Sequence, residues 1–284
     1  MARLIANITK TWLMERIESI DKIRQLTTEA RAKGKGFLTN FYLDEFKHSI
    51  WIGKGSLLYE WIVDTCFLFR RTSNYWNAFY MTPSLEDLDH SLFEVGRKYN
   101  EYSLIFDVVG RQEQCSVVIP VFKQNGFFEE NSLVRFIRIN TPIELDQEIA
   151  LVKRASLEQT HLVHHLLHQY MDERVEQIPE IEEYEQWGKL GHILVYYVND
   201  EIAGFFDYEK NVTTTHTRHW LVHPKFRGRH IGSVLFRRFL YEANDTKRIL
   251  SWVIRSNDIS IQNHYHYGFR MENMFDYIMT NNKQ

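Results

Sequence analysis

The chain has only two cysteines, Cys66 and Cys115, in 284 residues. Two thiols cannot form the disulfide framework of a small secreted scaffold, and they fit a reducing compartment. No uninterrupted apolar segment approaches the ~18 residues that a membrane span requires. Lys10 and Glu15 interrupt MARLIANITKTWLMERIES, which therefore lacks the apolar heart of a signal peptide. A cytoplasmic location without a membrane partner is expected. A basic excess is also missing: 34 Lys and Arg against 37 Asp and Glu give a net charge of −3. That argues against a nucleic-acid partner, whose phosphates call for a basic footprint. What is present is an ordinary globular balance, 44% apolar and 25% charged, which excludes disorder and fibres. Aromatic residues make up 14%, with seven Trp, and supply large surfaces to bury. At ~150 residues per domain, the length suggests two domains.

Residues 11–32 read as a helix, with Trp12, Leu13, Ile17, Ile20, Ile23 and Leu26 spaced by three and four and Gly34 beyond the end. A polar-aromatic stretch, FLTNFYLDEFKHSIWIGKG, shows no clear element. LLYEWIV, CFLFRR and WNAFYMT read as antiparallel strands. A helix is expected near 84–98, then the strand YSLIFDVV, a segment ending at Gly126-Phe127, and the alternating strand SLVRFIRIN. The later half repeats the scheme: a helix over 157–171, a second starting at Pro179, and ILVYYV and EIAGFFDYE joined at the hairpin signal Asn199-Asp200. THTRHWLV is a strand, IGSVLFRRFLYEAN a helix, RILSWVIR a strand, SNDISIQNHYHYGF a short helix, and FDYIMT the last strand.

The two halves share the order strand, helix, strand, helix ending in Gly-Phe, strand, an internal duplication of about 120–140 residues, too long for a solenoid repeat. They differ at one junction. The second copy joins strand to helix through KFRGRHIG; the first uses TPSLED, without glycine or basic residue. An anion site at that junction is therefore expected only in the second copy. There Pro224 stops the strand, and the loop carrying Arg227, Gly228, Arg229 and Gly232 feeds a helix whose unpaired N–H groups and dipole favour a diphosphate. Lys225, Arg237 and Arg238 add positive charge nearby. The bland alternative is an ordinary turn with solvated arginines.

Val222-His223-Pro224 followed by Arg227-Gly228-Arg229-His230-Ile231-Gly232 resembles the acetyl-CoA motif of the GNAT superfamily of N-acetyltransferases. Asn257, followed after ten residues by Gly268-Phe269, and Gly204 in the second strand of a hairpin fall at the family's spacings. The resemblance implies an α/β fold of two tandem GNAT-like units, mixed and mostly antiparallel sheets flanked by helices. Residues 1–145 would form a degenerate unit without the coenzyme loop and 146–284 the N-acetyltransferase unit. Acetyl-CoA would be held by Arg227, Gly228, Arg229, His230, Ile231, Gly232, Ser233 and Asn257, with a backbone N–H near Leu221 or Val222 polarising the thioester carbonyl. The acceptor implied is an amine of a small molecule or peptide, attacking directly. Other readings are a tandem enzyme with another acyl or aminoacyl donor, or a catalytically silent CoA-binding sensor.

Two positions depart from the family pattern. His230 replaces the middle glycine of the loop. His264 stands where the family often has a tyrosine general acid, with Tyr265 beside it, and both are candidates for that role or for plain packing. The first splayed strand, THTRHWLV, carries no carboxylate, so His216 and His219 are candidate bases. Strand alternation puts His216, Arg218, Trp220 and Val222 on one face and His219 on the other. His161, His164, His165 and His168 share one helix face; no carboxylate motif accompanies them and no metal is expected, so they are a solvated or packing face or line the acceptor pocket. Asp172, Glu173, Glu176, Glu180, Glu182, Glu183 and Glu185, with a single Arg174, are either a solvated face or a rim attracting a cationic amine.

Overall fold

The computed structural model describes residues 14–34 and 36–282. They form two compact units. One contains residues up to 108, 116–128 and those from 279; the other contains 109–115 and 129–278. The division expected at residue 145 and the division in space therefore differ, because 129–145 join the second unit.

The first unit begins with β1 (Glu15–Arg16) and α1 (Ile20–Ala32). The helix expected from residue 11 starts at 20, because Ser19 is in an extended conformation and its hydroxyl accepts the Lys22 N–H. Trp12 and Leu13 lie outside the described residues. Next come β2 (Leu38–Thr39) and α2 (Glu45–Gly53), a helix inside the stretch without a clear sequence pattern. It starts where Asp44 accepts the Lys47 N–H, and turns His48 and Trp51 inward. β3 (Leu57–Ile62), β4 (Thr65–Arg71) and β5 (Trp76–Thr82) form the expected antiparallel meander. α3 (Leu85–Lys98) follows, capped by Ser84, then β6 (Leu104–Gly110) and α4 (Gln112–Gln124). The core of this unit gathers Ile23, Leu26, Trp51, Leu57, Leu68 and Met81 between helices and meander.

The second unit contains β7 (Phe128–Ile139), β8 (Lys153–Arg154), α5 (Leu157–Tyr170), α6 (Ile181–Lys189), β9 (Ile193–Val198), β10 (Glu201–Lys210), β11 (Thr214–Val222), α7 (Ile231–Glu242), β12 (Arg248–Ile254), α8 (Asp258–His266) and β13 (Arg270–Thr280). Its strand order is β13-β7-β12-β11-β10-β9-β8. Asn199 and Asp200 both take positive φ, 49° and 61°, as the tight hairpin requires. One face of the sheet buries Val134, Phe136, Phe206, Leu235, Phe239 and Val253 against α7. The other buries Val163, Tyr184, Trp187, Phe205 and Leu221 against α5 and α6.

Each unit contains a parallel pair of strands, and in each the pair stops early. β11 and β12 are in register only from Thr214–Arg248 to Thr217–Ser251, although both strands continue. β5 and β6 pair only at Trp76–Leu104 and Asn77–Ile105. The repeated helix order is thus also a repeated splay.

The first unit fills its splay from within. β4 pairs with one edge of β5, so β2, pairing Thr39 with Met81 and Leu38 with Thr82, occupies the other edge, the one β6 leaves. The buried Asn40 extends this plug: its amide accepts the Tyr80 N–H (2.7 Å) and donates to the Ala78 carbonyl (3.2 Å). In the second unit the corresponding edge of β11 borders a cavity.

Gly204 is demanded by close approach: a Cβ there would lie 2.8 Å from the Leu221 carbonyl oxygen and 2.9 Å from Leu235 Cδ1. We expect Gly204→Ala to lose about 2 kcal/mol in urea unfolding, as overpacked sites do; an unchanged midpoint would contradict this packing.

Candidate active site

β10 and β11 lose one step of register between Phe206–Trp220 and Tyr208–Thr217, so Arg218 and His219 together oppose Asp207. Such a bulge leaves an N–H without a ladder partner and resets the alternation of side chains. Asp207 Oδ1 accepts the His219 backbone N–H at 2.6 Å. The alternation expected from sequence is corrected here. Trp220 and Val222 face the α7 core, whereas Arg218 lies over Trp187 of α6. The splay follows the bulge directly.

A cavity of about 610 Å³ occupies the splay. Trp220, Val222, Gly232, Phe236, Ser251 and His264 line it on the α7 and α8 side. On the other side are Leu133, Met171, Glu176, His219, Trp252 and Asp276. The His223 N–H donates to Ala203 on β10, so alternate amides, those of Trp220 and Val222, point into the splay. Of the two positions expected to polarise a carbonyl there, Val222 has the right direction; Leu221 pairs towards Phe205 and lines the cavity with its side chain.

His219 is fully enclosed. Its Nδ1–H donates to Asp207 (3.0 Å) and its Nε2 to the Glu176 carbonyl (3.2 Å). The Tyr184 hydroxyl is a further donor to Asp207, at 2.7 Å. Burial disfavours a charge on the ring, but the Asp207 carboxylate outweighs it and holds His219 above the ordinary imidazole value. With acceptors at both nitrogens, the ring is an imidazolium with no lone pair for a substrate. His219, an expected base, is bonded at both ring nitrogens, a clamp that ties Asp207 to the Glu176 segment. His216 has its value lowered by burial and is not among the residues lining the cavity. Burial raises the carboxyl of Glu176, which does line it.

His264 is buried at 7% exposure. Its Nδ1 donates to the Ser260 carbonyl at 2.7 Å, so in the neutral ring Nε2 carries the lone pair and accepts the Ser251 hydroxyl at 2.8 Å. Burial lowers its value further, so the ring is neutral at neutral pH. Its one N–H is thus directed to Ser260 and its lone pair to Ser251. Tyr265 is half-exposed, lies against Phe136, and is not among the lining residues.

Gly228 has φ 79° and His230 φ 59°, so two left-handed residues turn the chain into α7. His230 holds this conformation at a cost of roughly 1 kcal/mol, with its side chain in solvent. Gly232 lies against Trp220 and Val222, where a Cβ would make ordinary contact at 3.4 Å, while a larger side chain would enter the splay wall. Several expected charges are already spent: Lys225 pairs with Glu201, Arg237 with Asp146 and Glu148, and Arg238 with Glu242. Arg227 and Arg229 are the exposed cations within the loop itself. Asn257 caps α8 by accepting the Ser260 N–H and lines the cavity, while the Ser233 hydroxyl meets that of Tyr267 at 2.7 Å. In the first unit the matching helix start is filled by its own Ser84 and Asp87, bonded to each other.

The histidine face of α5 is used locally: His161 pairs with Glu185, His168 with Glu173, and His164 donates to the Pro179 carbonyl. Among the described residues no group of three His, Cys, Asp or Glu is placed to hold a metal ion. Within the acidic run, Glu180 and Glu183 cap α6, and Arg174 pairs with Glu130. Sequence reasoning missed Asp207, Tyr184 and Ser251. The available signal for Asp207 was a carboxylate within the apolar strand EIAGFFDYE.

Residues 160–269 match the model of the Acetyltransferase (GNAT) family. The fold is that of tandem GNAT proteins. The chain is similar to a tandem GNAT protein from the clavulanic acid biosynthesis pathway, with TM-score 0.58 and 11% identity over 96% of this chain and 99% of that one. A GNAT-family acetyltransferase from Colwellia psychrerythraea gives TM-score 0.56 and 12% identity over 96% and 100%. A GCN5-related N-acetyltransferase from Sphaerobacter thermophilus gives 0.57 and 12% over 76% of each chain. No curated protein matches the sequence. The likeness to these structures shows the GNAT fold. Among the described residues no helix is long and apolar enough to cross a membrane.

The clamp has a signature. A raised histidine contributes stability that is complete below its unfolded value of 6.5 and fades as pH rises through the folded value. Asp207→Asn should therefore cost about 3 kcal/mol near pH 6, and less at pH 9, in urea unfolding. A cost independent of pH would mean that His219 is not held as a cation.

Proposed function

We propose that the second unit transfers the acetyl group of acetyl-CoA to a primary amine of a small molecule or peptide by direct attack. The observation that carries this reading is the splay between β11 and β12, with a left-handed loop and helix start at one side and the half-buried Glu176 carboxylate at the other. The amides of residues 229–233 and the cations of Arg227 and Arg229 would hold the diphosphate. The pantetheine arm would run along the free edge of β11, where Asn40 and β2 sit in the first unit. The Val222 N–H would take the thioester oxygen as it becomes an oxyanion.

An amine must lose its proton before it attacks. Glu176, raised by burial and set in the cavity wall, is the base suited to take it. His219 positions that base: it donates to the Glu176 backbone while Asp207 holds its other nitrogen. Glu176 and Asp276 give the acceptor side a negative character, which favours a cationic amine. The first unit, its splay sealed by β2 and Asn40, would serve as support.

Two measurements test the reading. Glu176→Gln should lower kcat by about 100-fold or more while acetyl-CoA still stabilises the protein in a thermal shift. Gly232→Trp should abolish that shift; unchanged affinity would mean the diphosphate lies elsewhere. A robust shift of the wild type without thiol release on any amine would favour a silent sensor over an enzyme.

A further inference from the structure

The pair Ser251 and His264 has no part in direct amine attack, yet both line the cavity. Ser251 is the last residue of β12 in register with β11, so it stands where the splay opens. Its hydroxyl donates to His264 Nε2 at 2.8 Å, and the Ser260 carbonyl, 2.7 Å from Nδ1, fixes the tautomer. Such a pair comprises a hydroxyl, a base on that hydroxyl, and an acceptor behind the base that keeps the ring in the proton-taking form. It points its proton away from the cavity, the wrong direction for an acid and the right one for a nucleophile. Across the splay the Val222 N–H faces the same gap.

We propose that Ser251 is a nucleophile, activated by His264, that takes an acyl group from acyl-CoA and passes it to water. The proposal rests on the acyl-CoA reading above. The Ser251 oxygen bonds to the thioester carbon as its proton moves to His264 Nε2. The carbon–sulfur bond then breaks, and the thiolate takes that proton to leave as free CoA thiol. Water attacks the acyl-serine ester, again giving a proton to His264, and the Ser251 oxygen recovers it as the ester bond breaks. The products are a carboxylic acid and CoA, with no oxidant or further reactant. The restored hydrogen bond between Ser251 and His264 makes the cycle repeatable.

The test uses the full chain with acetyl-CoA and no amine. Thiol release is followed, and acid-quenched protein is weighed and mapped. The expected result is release above the protein-free rate, with acetyl found on Ser251. Ser251→Ala should hydrolyse at least about 100-fold more slowly. Ser251→Cys should still become acylated, now as a thioester, and guards against a folding defect in the alanine variant. A thermal shift with acetyl-CoA on each protein separates the two levels of inference. No shift in the wild type would defeat the acyl-CoA reading itself. Given a shift, wild-type release no faster than buffer, or Ser251→Ala releasing thiol at the wild-type rate, overturns the nucleophile.

Discussion

One carboxylate holds the second unit in its working shape. Asp207 accepts from the Tyr184 hydroxyl, the His219 amide and the His219 ring, three donors on one fully buried group. Without it the bulge in β11 would leave an amide and a cationic ring stranded in an apolar interior, each a penalty of a few kcal/mol. The bulge lies where β11 and β12 part, and Asp207 satisfies the amide and the ring that it exposes there. The same histidine reaches the Glu176 backbone, which ties the segment between α5 and α6 to the strand that opens the splay.

The two units show what one architecture does with and without its own chain in the gap. In both, a parallel pair ends after a few residues and leaves a strand edge with amides and carbonyls that need partners. The first unit supplies them internally. The Asn40 amide group, bonded to Ala78 and Tyr80, does for β5 what the amide groups of an extended ligand would do for β11. Its helix start is equally closed, since Ser84 and Asp87 occupy it and the acidic first turn of α3 repels anions. The plug answers the backbone hydrogen bonds that β6 leaves open.

Much of this was legible in the sequence. Strand and helix periods marked most of the longer elements but not α2 or the two-residue strands β1, β2 and β8; Asn199-Asp200 marked the hairpin, and KFRGRHIG marked the loop. What stayed hidden depends on partners that one-dimensional patterns do not carry. A bulge is a mismatch between two strands, so alternation along β11 alone misassigned the face of Arg218. The nine-residue α2 rests on the Asp44 cap, within a stretch too aromatic to display a period. Arg237 and Arg238 looked available for phosphate, but Asp146, Glu148 and Glu242 neutralise them from elsewhere in the chain. His219 looked like a base because its two acceptors, Asp207 and the Glu176 carbonyl, are remote in sequence.

The replacement of the usual tyrosine position by a buried, neutral His264 is tolerable on energetic grounds. With a thiol reference value of ~8.5, a thiolate leaving at pH 7 is only about 1.5 units from its protonated form, a debt of roughly 2 kcal/mol. An alkylammonium of ~10.4 must surrender its proton across about 3.4 units, or roughly 5 kcal/mol. The larger burden lies on the acceptor side, where the structure places a carboxylate raised by burial and clamped through His219. On the proposed reading the donor side could forgo an acid, which would leave position 264 free to act on Ser251 in the opposite proton direction. On the proposed reading, the two walls of the cavity would be specialised by where a proton is scarce: a base for the amine on one side, and on the other a hydroxyl whose proton leans toward imidazole.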